Sequence, residues 1–115
     1  MMNPEIKAKW VAALRSGEYT QTTGALRSED ESGHSHCCLG VLCEISKRET
    51  GFGVSKNLEE NADEDTLGRT IQKWAGLSFN RGATVSINGI RDLLTEHNDD
   101  GRTFLEIADA IEAQL

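Results

Sequence analysis

Four things are scarce in this chain, and each scarcity closes off a class of protein. Aromatic residues are only 5% of the 115 residues, which leaves few anchors for a large hydrophobic interface; Trp10, Trp74 and Phe79 are the candidates if exposed. Basic residues number 12 against 19 acidic ones, a formal charge of −7. They stand singly apart from Lys47-Arg48, with no stripe to neutralise phosphates, so direct nucleic-acid binding is not expected. No apolar run approaches the roughly 18 residues that cross a bilayer, so no membrane association is expected. The opening Met1-Met2-Asn3-Pro4-Glu5 lacks the basic start and apolar stretch of a secretory signal, which reads as a soluble protein that stays where it is made. Cysteines number three, an odd count with Cys37 and Cys38 adjacent. That is a poor basis for a disulfide framework and fits reduced thiols in a cytosolic protein.

The chain carries no internal repeat and no low-complexity tract. Its length suits one domain of residues 1–115, with a loose acidic loop around residues 48–66. The acids cluster as Glu29-Asp30-Glu31 and as Glu59, Glu60, Asp63, Glu64 and Asp65. They read as solvated loops, or alternatively as a negative surface that mimics nucleic acid and competes for a DNA-binding protein.

Periodicity predicts a helix over residues 4–15, with Asn3 as its cap, Pro4 at its first position and Ile6, Trp10, Ala13 and Leu14 on one face. Residues 19–27 turn polar and β-branched and read as extended chain kinked at Gly24. An acidic turn over 28–33 then leads to a return strand at 34–37, making one small hairpin. A second helix should start near Cys38 and run through Ser46, apolar nearly all round and therefore central. Gly40 inside it costs about 1 kcal/mol relative to alanine, which a close backbone approach would explain.

A third helix is predicted over 67–75, stopped by Gly76, and residues 83–87 read as a strand or as the lead-in to a fourth helix. That fourth helix, over 88–97, should bury Ile90, Leu93 and Leu94. The last begins with the capping box Thr103-Phe104-Leu105-Glu106 and carries the stripe Phe104, Ile107, Ala108, Ile111, Leu115. The expected fold is α+β, a small α-dominated domain of about five short helices with one small β-hairpin.

Three constellations bear on chemistry. His34-Ser35-His36-Cys37-Cys38 with Cys43 suggests zinc, but adjacent cysteines diverge in direction, so no metal and no other cofactor is expected. Cys37 or Cys38 at a helix start would have its pKa lowered by the helix dipole, with His34 or His36 as base, which defines a cysteine-dependent enzyme as an alternative. The stretch Glu96 to Gly101 resembles a calcium loop but would place Ile107 where a bidentate glutamate is required. What remains is Tyr19, Gln21 and Arg27 on one extended segment, joined by Asn98 and Asp99 if the last helical turn folds back beside the hairpin. Arg27 would meet an anionic group, Tyr19 would stack, and Gln21 and Asn98 would read polar edges.

The order Trp10, Leu14-Arg15-Ser16-Gly17, Tyr19, Gln21, Gly24, Leu26-Arg27, Cys37-Cys38-Leu39-Gly40-Val41-Leu42-Cys43, Trp74-Ala75-Gly76-Leu77, Asn98-Asp99 and Phe104 through Ile107-Ala108-Asp109 to Ile111-Glu112 resembles a group of small proteins encoded largely by tailed bacteriophages and prophages. The resemblance spans nearly the whole chain. It implies a genomic setting and no mechanism. His34 and His36 depart from the group's pattern, which usually has no histidine before the cysteine pair. That setting implies a non-enzymatic accessory protein in the cytoplasm of a bacterial host. It would bind and block or modulate a host factor, such as a defence component, or a small anionic, nucleotide-like signal. A homo-oligomer is compatible with these residues.

Overall fold

A computed structural model describes residues 2–23, 26–30, 33–51, 69–77 and 83–115. The first helix, α1 (Pro4–Arg15), has the boundaries that periodicity predicted. The Asn3 side chain accepts from the N–H groups of Glu5 at 3.0 Å and Ile6 at 3.3 Å, meeting two of the donors that every helix start leaves over. It buries Ile6, Trp10, Val11 and Leu14.

The next elements are β1 (Arg27–Asp30) and β2 (Gly33–His36), antiparallel with Arg27 opposite His36. β1 thus starts at the last residue of the predicted extended segment and runs into the stretch expected to be a turn, and β2 begins inside that stretch. The kink at Gly24 lies outside the described residues, as do the side chains of Glu29, Asp30 and His34. Helix α2 (Cys38–Thr50) is the central element, and every residue from Cys38 to Cys43 is buried. It ends at Gly51, whose φ of 86° is open to glycine without strain. A Cβ on Gly40 would stand 1.7 Å from the Leu26 carbonyl oxygen, so the backbone approach that its presence implied is there. The acidic loop, with Glu59, Glu60, Asp63, Glu64 and Asp65, lies outside the described residues from position 52 on.

Helix α3 (Arg69–Ala75) buries Ile71 fully, half-buries Trp74 and receives a hydrogen bond from Asn3 N–H at the Ala75 carbonyl, 2.9 Å. The chain then departs from expectation. Residues 88–97 are not one helix: β3 (Thr84–Ile87) turns through Asn88-Gly89 into β4 (Ile90–Leu93), and helix α4 (Leu94–Asp99) is short. Asn88 and Gly89 both have positive φ, 52° and 81°, the geometry of a two-residue hairpin turn and the reason that Asn-Gly favours one. Ile90, expected in the core, is 52% exposed. The fold is α+β with two small antiparallel hairpins rather than one.

Helix α5 (Phe104–Gln114) carries both halves of the expected capping box and packs along α1. The core draws on every helix and includes Trp10, Leu26, Leu39, Leu42, Ile71, Leu94, Ile107 and Ile111, all fully buried. A buried side chain of this size contributes about 1.5–3 kcal/mol. Among the described residues, no helix is long and apolar enough to cross a membrane.

Candidate functional site

The polar residues of interest gather where the start of α2 meets the chain around residue 20, β2 and α4. Helix α2 has no cap from its own segment: Cys37 occupies the N-cap position with extended backbone, and no side-chain cap bond. The cap comes instead from α4. Asn98, fully buried, accepts the Cys38 N–H at its Oδ1 (3.1 Å) and donates from Nδ2 to the Thr22 carbonyl (2.7 Å). Gln21 completes the arrangement, its Nε2 donating to Asn98 Oδ1 at 3.0 Å and to the Arg102 carbonyl at 2.6 Å. One amide therefore terminates a helix, holds a strand-like segment and is held by a second amide. Buried polar groups that bond in this way are satisfied, and removal of one partner orphans the others.

His36 is the centre of the neighbouring cluster. Gln21 pairs with it in an isolated parallel bridge, with Thr22 N–H reaching the His36 carbonyl at 2.9 Å and His36 N–H reaching the Thr20 carbonyl at 2.8 Å. Arg27, half-buried, faces it across the first hairpin. Tyr19 meets its ring edge-on with centroids 5.4 Å apart. The imidazole lies with Nε2 3.3 Å from Glu44 Oε1 on α2. One turn further along α2, Arg48 donates to the Tyr19 hydroxyl.

Beside this cluster, α1 and the second half of α2 enclose an open groove of about 420 Å³. Its floor is Ala12, Ala13 and Ile45, and its rim is Lys9, Ser16, Glu18, Arg48 and Glu49. Lys9 is paired with Glu49. Arg48, by contrast, donates to the Tyr19 hydroxyl, and no carboxylate pairs with it among the described residues.

The thiols sit under the same helix start. Cys37 is 3% exposed, and Cys38 and Cys43 are fully buried. The neighbouring Cys38 thiol draws the Cys37 thiol below its ordinary pKa; burial opposes this, and the N–H groups of Gly40 and Leu39 assist it. Cys38, whose S–H donates to the Leu94 carbonyl at 3.7 Å, is pushed up by the neighbouring Cys37 thiol and by burial, and burial pushes Cys43 up. Among the described residues, no three His, Cys, Asp or Glu side chains gather as a metal site would require.

Of the residues singled out from sequence, Gln21 and Asn98 are in direct contact, and Tyr19, Gln21 and Arg27 all surround His36. Asp99 is exposed at the end of α4. Sequence reasoning missed Glu44 and Arg48, although their spacing of four on one helix places them on one face. It weighed His36 only as part of a zinc constellation and as a base for a cysteine. No curated protein and no solved structure matches this chain. A family model described as a domain of unknown function, DUF8296, matches residues 2–115, and the chain belongs to that family.

Proposed function

We propose that the protein acts by binding, through the face formed by Tyr19, Arg27, His36 and Arg48. In this reading it is an accessory protein of a phage or prophage. It works in the cytoplasm of a bacterial host and engages a host factor or a small anionic, nucleotide-like ligand. The observation that carries this is the Arg48 guanidinium, held on the Tyr19 phenol at the rim of an open groove with no carboxylate partner among the described residues. A cation already positioned, and in no ion pair with the Glu18 and Glu49 carboxylates of the same rim, suits a phosphate or carboxylate, which it binds with charge-assisted hydrogen bonds. Gln21 and Asn98 then position the segment that carries Tyr19, their amides being engaged with backbone carbonyls, while Asp99 is exposed at the end of α4.

The test is a native mass spectrum of the protein purified gently from producing cells without chelator. An added mass in the nucleotide range that is lost from Arg48→Ala and Tyr19→Ala proteins supports a ligand at this face. A mass retained in both variants places the ligand elsewhere. A clean mass points to a protein target, and host-protein retention should then depend on the same two residues.

A second reading, a thiol-dependent enzyme, rests on the lowered pKa of Cys37 at the start of α2. Its burial at 3% exposure weighs against it, because a nucleophile must reach its substrate. Alkylation of Cys37 far faster than free cysteine at neutral pH would favour this second reading over binding.

A further inference from the structure

The second hairpin offers a different feature, on residues that the binding face does not use. In a two-residue hairpin the pair flanking the turn exchanges hydrogen bonds, here Ile87 with Ile90, so alternate residues of β3 point their N–H and C=O away from β4. Thr84 and Ser86 are those residues. Ser86 is covered in an unusual way: the Gln114 side chain, from the last residue of α5, accepts the Ser86 N–H at its Oε1 (2.8 Å) and donates from Nε2 to the Ser86 carbonyl (2.8 Å). A side-chain amide thereby makes the two bonds that one residue of an added antiparallel strand would make. The outward N–H and C=O of Thr84 have no hydrogen-bond partner among the described residues.

Alongside this edge runs a groove of about 280 Å³ between β3 and α5, lined by Ile87, Ala110 and Ala113 at its base and by the carboxylates of Glu106 and Asp109. No basic residue lines it among the described residues. Asp109 shares Arg15 with Glu112, and Glu106 bonds Thr103 and pairs with Arg102 at 3.9 Å, but these are surface interactions that leave the carboxylates accessible. The Gln114 amide is itself exposed and so displaceable.

We propose that the outer edge of β3 is a strand-addition site for an extended, basic peptide segment of a partner protein, and that Gln114 is its built-in competitor. The added strand would pair with Thr84 and Ser86, displace the Gln114 amide and set lysine or arginine side chains against Glu106 and Asp109. This stands independently of the Tyr19–Arg48 face, since no residue is shared.

The experiment is an NMR titration with two short blocked peptides, one alternating lysine with valine and the other glutamate with valine. The lysine peptide should shift the Thr84 and Ser86 amides selectively. It should bind Gln114→Ala about two- to threefold tighter, because the competing amide is gone. It should not bind Thr84→Pro, which removes one outward donor while leaving the bonds to β4 in place. Asp109→Asn should weaken it. Absence of shifts at the β3 edge in folded Gln114→Ala overturns the site, as does equal binding to folded Thr84→Pro. Equal binding of the glutamate peptide overturns the assignment of a basic partner. A doubled mass of Gln114→Ala in sedimentation, with the same amides shifted, makes a second copy of the chain the occupant and overturns the peptide.

Discussion

Asn98 and Gln114 do the same chemical job in two places and in opposite surroundings. Each is a side-chain amide that stands in for a peptide group, Asn98 at the first N–H of α2 and the Thr22 carbonyl, Gln114 at both polar groups of Ser86. Asn98 is 0% exposed, and Gln114 is open to solvent. The difference in burial decides what each can be used for. A buried amide cannot leave without orphaning groups that water cannot reach, so it fixes the architecture of the Tyr19–His36 region. An exposed amide can be exchanged for water or for another chain at small cost.

Substitutions sharpen the contrast in a definite order. Asn98→Ala should be the most damaging, about 3–4 kcal/mol by chemical denaturation, because the Cys38 N–H and the Thr22 carbonyl both lose their partner in the interior. Gly40→Ala comes next at about 3 kcal/mol, since the added carbon collides with the Leu26 backbone. Its sign is informative, for in an open helix the same change stabilises by about 1 kcal/mol. Gln21→Ala should cost about 1 kcal/mol, as its two bonds are part-buried. Gln114→Ala should cost about 0.5 kcal/mol or less in a thermal or denaturant melt, water taking over at Ser86. A loss at Gln114 equal to that at Asn98 would erase the distinction.

The parts of this molecule readable in its sequence are those whose causes are local. Asn3-Pro4 fixes the start of α1, the Thr103–Glu106 box starts α5, and Gly40 in an otherwise apolar helix announces a close neighbour. The second hairpin was hidden by a coincidence of spacing. Ile90, Leu93 and Leu94 fall at helical intervals, yet Asn88-Gly89 is a strong turn signal and it prevails, leaving Ile90 outside. The candidate site was legible as a set of residue types but not as an arrangement. Gln21 and Asn98 are separated by 77 positions, and α2 takes its cap from α4. No local pattern encodes a cap delivered from another element. Arg48 became meaningful only once Tyr19 was seen to lie against it.

The most direct test of the contrast is native-state amide hydrogen exchange read at Cys38 and Ser86 in the same sample. The Cys38 amide should exchange only by global unfolding, its rate rising with denaturant alongside the slowest amides of the core. The Ser86 amide should exchange far faster and without denaturant dependence, and Gln114→Ala should quicken it while leaving Cys38 unchanged. A Ser86 amide as protected as Cys38 would mean that the Gln114 amide is fixed in place, and the exchangeable edge would be contradicted.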